Sequence, residues 1–144
     1  MSISEFHAST ILEVGASFGY SNCSCDPDEI TSHLGIKPDE IRVQGTPRTT
    51  KAGITITTPL NSWYISSTSE SKDINEHIRN LLLRLEGRNA LPLPDWGEPS
   101  FGILWKGDYL YAGSGPFYEP DVMAGIASYG ATLYQDIYQV DQEH

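Results

Sequence analysis

Positive charge is scarce in this 144-residue chain, with nine Lys and Arg against nineteen Asp and Glu and a net charge of -10. After Lys106 it is absent, while Asp108, Glu119, Asp121, Asp136, Asp141 and Glu143 add six negative charges. Such a field repels phosphate backbones and anionic lipid, so neither nucleic acid nor a membrane is an expected partner. Cysteine is equally sparse. Cys23 and Cys25 stand too close to staple distant parts of the chain, which excludes a disulfide framework and gives no sign of an oxidising compartment. Apolar runs are short, such as the LLL at 81–83, and residues 1–20 lack the basic start and apolar core of a signal peptide. A soluble, cytoplasmic, single-domain protein spanning 1–144 is expected, long enough to bury about two-thirds of the surface its unfolded chain exposes.

What is present is a clear succession of elements. In FHASTILEV, residues 6–14, Phe6, Ala8, Thr10, Leu12 and Val14 alternate with polar side chains, the period-two pattern of a half-buried strand. Residues 26–34 predict a short helix: Asp26 caps it, Pro27 suits the first turn, Glu29 completes a capping box and Gly35 stops it. A strand near IRVQG, a loop at TPRTTKAG and a strand at SWYISS follow. The strongest helix is DINEHIRNLLLRLEG, where Ile74, Ile78, Leu81, Leu82 and Leu85 form one stripe. Asp73 and Glu76 repeat the capping-box spacing, Arg79 and Arg84 lie towards the negative end of the helix dipole, and Gly87 terminates the helix. SFGILW then reads as a strand with Phe101, Ile103 and Trp105 on one face, and YLY as a further strand or an irregular edge. A third helix runs from Pro120 through Val122, Met123 and Ile126 to a stop at Gly130, before a last strand, TLYQDIYQV.

DPDEITSHLGI and EPDVMAGIASYGA share an outline, either an internal repeat or two helices using the same caps. The order β-α-β-β-α-β with antiparallel neighbours predicts an α+β domain. Its expected form is a mainly antiparallel, ferredoxin-like sheet with two or three helices on one face and an added helix-strand unit.

NCSCDPDEITSHLG, residues 22–35, gathers two cysteines, acids and a histidine, and so invites a metal-site reading. A structural zinc needs about four ligands, and a C-x-C knuckle without a second pair falls short. His33 sits at the far end of the predicted helix, and Asp26 and Glu29 are already used at its start. Helix capping is the expected role, with a metal or a reactive thiol at the helix start as alternatives. His7, His77 and His144 are scattered, and no Ser or Cys partner for them is visible in the sequence. YAGSGP, residues 111–116, reads as a flexible turn or a phosphate loop, but the Lys-Ser/Thr that would complete the latter is missing. Lys37, Arg42, Arg48 and Lys51 form a basic island, either a solvated loop or an anion site. The aromatic second half, with Trp63, Trp96 and Trp105, is expected in the core, while tyrosines near Gly113 and Gly115 are candidates for a contact surface.

DPDEITSHLGIKP, the Gly in VQGTPR, WYISS, DINEHIRNLLLRL and the terminal DIY resemble, in order, the bacterial family catalogued as domain of unknown function 4279. The likeness runs from about residue 4 to 140 and is weakest over 95–119. The resemblance implies a small single-domain protein and supplies neither an activity nor catalytic residues. No cofactor, metal or catalytic residue is therefore expected. The leading functional expectation is a non-enzymatic protein-binding module, such as an immunity-type inhibitor that covers a basic toxin. Asp108, Tyr109, Tyr111, Tyr118, Glu119 and Asp121 are its candidate partner-binding residues. The alternatives are an enzyme using groups such as His33, His77 or Asp108, and a ligand-sensing or oligomerising domain with its site in a sheet-face cleft.

Overall fold

Alternation that begins at Leu12 and Val14 continues through Ala16, Phe18 and Tyr20, so the first strand, β1 (Ile11–Cys23), runs nine residues past the expected end at Val14. A computed structural model describes residues 11–88, 94–108 and 115–140. The start of the expected 6–14 strand and the YLY segment lie outside them.

Helix α1 (Pro27–Leu34) follows, with the Asp26 carboxylate accepting from the Asp28 amide and Gly35 in the left-handed conformation at its end. The acceptor thus serves the second helical amide rather than the third, which a full capping box would use. Strand β2 (Glu40–Arg42) leads to a correction of the expected loop. Residues 46–53 contribute to a small antiparallel hairpin, β3 (Pro47–Thr49) with β4 (Thr55–Thr57), where β-branched threonines flank a turn through Gly53 at φ +79°. Strand β5 (Asn61–Ser66) and helix α2 (Ile74–Leu85) match the sequence expectation, the helix capped by Asp73 through the Asn75 amide. Strand β6 (Glu98–Asp108), helix α3 (Pro120–Ser128) and strand β7 (Thr132–Val140) complete the chain.

The main sheet has the order β2-β5-β1-β6-β7. Its first four strands are antiparallel neighbours in the ferredoxin-like arrangement, and β7 is added parallel to β6 through the α3 crossover. All three described helices contribute to one core: Ile30 and Leu34 from α1, Ile74, Ile78, Leu81 and Leu85 from α2, Val122 and Ile126 from α3. They meet Phe18, Tyr20, Trp63, Phe101 and Trp105 on a single sheet face. Asp26 and Glu119 each precede a Pro-Asp helix start, yet only Asp26 makes a side-chain cap bond.

Register places the intervening residues on the opposite face, which no described helix covers. One row there runs Ser66–Ser17–Gly102–Tyr134 across four strands, and the next runs Gly15–Leu104–Asp136. Small side chains in the middle of a sheet leave a trench between taller neighbours.

Candidate functional site

Residues 66–73, SSTSESKD, join β5 to α2 and repeat one small motif. The Ser69 amide donates to Ser67 Oγ (3.1 Å), the Ser71 amide to Ser69 Oγ (3.2 Å), and the Asp73 amide to Ser71 Oγ (3.0 Å). The Asn75 amide then donates to Asp73 Oδ1 (2.9 Å), so the ladder ends as the helix cap. His77, in the first turn of α2, closes it from the side. Its Nδ1 lies 2.9 Å from Ser67 Oγ and its Nε2 lies 2.7 Å from the Ser71 carbonyl oxygen. A carbonyl can only accept, which assigns the imidazole proton to Nε2 and leaves Nδ1 to accept from the Ser67 hydroxyl.

Ser67, Ser69 and His77 line a cavity of about 400 Å³ that opens onto the bare sheet face. Gly15, Ser17 and Gly102 form its floor, with Tyr134 and Asp136 on the β7 side. His77 itself is 3% exposed, whereas Ser67 is half-buried. The sequence singled out His77 but not its partner, because Ser67 stands ten residues away across a loop that only the fold closes.

The opening cysteines lie elsewhere. The Cys23 thiol donates to the Trp96 carbonyl at 2.7 Å, and burial, reinforced by Cys25 and Asp95, pushes it up to about 12. Burial likewise raises Cys25, with Asp95 and Glu29 adding to the effect. Both environments favour the protonated thiol, which runs against the reactive-thiol alternative. Asp95, unremarked in the sequence, arrives beside Cys25 and Glu29, and their ligand atoms lie within 4.8 Å of one another. One thiol and two exposed carboxylates fall short of a closed tetrahedral set. His33 instead meets Trp96 edge to face, with ring centroids 5.0 Å apart.

Of the candidate partner residues, Tyr118, Glu119 and Asp121 come together at the start of α3. The Tyr118 hydroxyl accepts from Gln135 Nε2 at 2.8 Å, which sets it against β7. Arg79 binds both oxygens of Asp121 at 3.0 Å and also reaches Glu119 and Glu76, holding the Asp121 carboxyl below its ordinary range. That arginine therefore bridges two helices instead of serving its own helix end. Asp108 stands apart, 1% exposed at the end of β6, and Tyr109 and Tyr111 lie outside the described residues, as do His7, His144 and residues 111–114 of YAGSGP. In the basic island Arg42 pairs with Glu40 at 3.1 Å, while Arg48 sits in the separate hairpin. Trp63, Trp96 and Trp105 are buried as expected, but Phe117 and Met123 are exposed.

No described helix is long and apolar enough to cross a membrane. No curated protein and no solved structure matches the chain. The model of a family described as a domain of unknown function, DUF4279, matches residues 12–92, from the first strand to just beyond α2, a narrower span than the resemblance in sequence. The five-stranded α+β domain with its half-bare sheet thus belongs to the DUF4279 family.

Proposed function

We propose that the domain is a binding module for a basic protein, which adds an extended segment along the outer edge of β7. The observation behind this reading is the character of that edge. Among the described residues β7 pairs only with β6, it is nine residues long, and Tyr134, Ile137 and Tyr138 are 56%, 41% and 53% exposed. Natural edge strands are commonly guarded by Lys, Pro or a bulge, and this one carries a single charge, Asp136. An added strand would pair with its outer backbone edge and meet the tyrosines on one face and Ile137 on the other. The net charge of -10 attracts a basic segment and repels a second copy of the chain. Glu119 and Asp121, beside Tyr118, add an acidic rim that Arg79 offsets only in part. An immunity-type inhibitor of a basic toxin is the role that fits such a surface.

A synthetic peptide of alternating Lys and Val tests the reading by nuclear magnetic resonance. Amide shifts concentrated in β7, weakened by salt and by Asp136→Lys, are expected. Shifts confined to other strands, or no binding at low salt, would overturn it. The cavity beside His77 favours a second reading, a small-molecule site on the open face.

A further inference from the structure

We propose that Ser67 and His77 form a nucleophile and general-base pair that hydrolyses small uncharged or cationic esters in the open-face cavity. The arrangement meets the geometric requirement for an activated serine: a hydroxyl within hydrogen-bond reach of a base, and the base oriented by a third group. Ser67 Oγ and His77 Nδ1 are 2.9 Å apart, and the Ser71 carbonyl, 2.7 Å from Nε2, plays the orienting part. That carbonyl also stabilises the imidazolium that forms when His77 takes a proton. The Ser69 amide, donating to the same Oγ at 3.1 Å, stabilises the alkoxide as charge develops on it.

Access is built into the sheet. A Cβ placed at Gly15 would meet nothing within 4 Å, so the approach across the trench is open. The row from Ser66 through Ser17 and Gly102 ends at the ring of Tyr134, a stacking surface for the part of the substrate remote from the bond cleaved. A volume of about 400 Å³ suits a small molecule. The Asp136 carboxylate on the same wall disfavours anionic substrates.

In the first half-reaction Ser67 Oγ bonds to the ester carbonyl carbon while its proton passes to His77 Nδ1. The carbon–oxygen bond to the leaving group breaks, and the departing alkoxide takes that proton as an alcohol. In the second half, water gives its proton to Nδ1, its oxygen bonds to the acyl carbon, and the proton returns to Oγ as the acid is released. Ser69, which lines the cavity beside Ser67, supplies the hydroxyl donor to the tetrahedral oxyanion.

An uncharged alkyl fluorophosphonate is the decisive probe, with the labelled position located by mass spectrometry. Covalent modification of Ser67 in the wild-type protein is expected, together with hydrolysis of p-nitrophenyl acetate. His77→Gln, whose amide can still donate to the Ser71 carbonyl, should slow both by about 100-fold. Because that variant removes a buried ring and is at risk of unfolding, competition in the wild-type protein supplies a second reading of the site: excess p-nitrophenyl acetate should slow the labelling of Ser67. No label on Ser67, a label on another residue, or labelling indifferent to the ester would overturn the proposal. None of these outcomes touches the β7 edge, which the peptide experiment probes separately.

Discussion

Arg79 grips Asp121 through two parallel hydrogen bonds of 3.0 Å each, joining α2 to α3 across 42 positions of sequence. The carboxyl is thereby held below its ordinary range, so its folded value lies under its unfolded one. Such a group contributes stability above the unfolded value, and that contribution is lost as pH falls through the folded one. The urea midpoint of the wild type should therefore drop towards that of Asp121→Asn below about pH 4, the ordinary carboxylate value. The difference between the two proteins at neutral pH should shrink in high salt, because both side chains face water.

The indole N–H of Trp63 donates to Thr31 Oγ1 at 3.0 Å and fixes α1 against β5. Thr31→Val keeps the shape and removes the acceptor, leaving a donor on a fully buried side chain. A loss of about 1 to 3 kcal/mol in urea unfolding is expected, the cost of an unsatisfied buried group. Thr31→Ser should retain most of the stability.

Gly19 and Gly15 occupy one strand and one face but not one environment. A Cβ at Gly19 would collide with the Tyr64 ring and the Trp63 carbonyl, whereas Gly15 borders open space. Gly19→Ala should destabilise by about 1 to 3 kcal/mol through overpacking. Gly15→Ala should stay within about 0.5 kcal/mol, as expected for a surface substitution.

Cys23 should resist alkylation in the folded protein. Its thiol is pushed up to about 12, chiefly by burial, and iodoacetamide attacks the thiolate. Because the folded value lies above the unfolded one, this contribution to stability is intact below the unfolded value near 8.5 and is lost as pH rises towards 12. Labelling at pH 8 in the presence and absence of urea checks the first point. A unfolding midpoint that falls between pH 9 and 11 less steeply in Cys23→Ala checks the second.

The sequence disclosed most of what repeats or caps. Asp26, Gly35, Asp73 and Gly87 sit where their chemistry requires, and the Ile74–Leu85 stripe faces the core. Strand β1 extends beyond its sequence signal because its open-face positions are Gly15, Ser17 and Gly19, which give no contrast of polar against apolar. The β3–β4 hairpin was hidden by Pro47, Lys51 and Gly53, residues that serve a turn as well as a loop. In the sequence Arg79 points only to its own helix dipole, because α3, which brings Asp121, is placed only by tertiary folding. Ser67 shares that difficulty, since one serine among several in SSTSESKD gains its meaning only when α2 sets His77 over it.

Addition of β7 leaves the sheet with two very unequal ends. At one, β2 offers three residues, with Glu40 and Arg42 paired along the strand; at the other, β7 offers nine. A ribbon that grows by joining sheets end to end needs two adhesive ends on every molecule. Among the described residues this sheet has a single such end, so if crowding or high salt overcomes the mutual repulsion of acidic copies, β7 meets β7 and growth stops at a closed pair. Fibre formation through the native sheet is thereby blocked by geometry, not by stability alone.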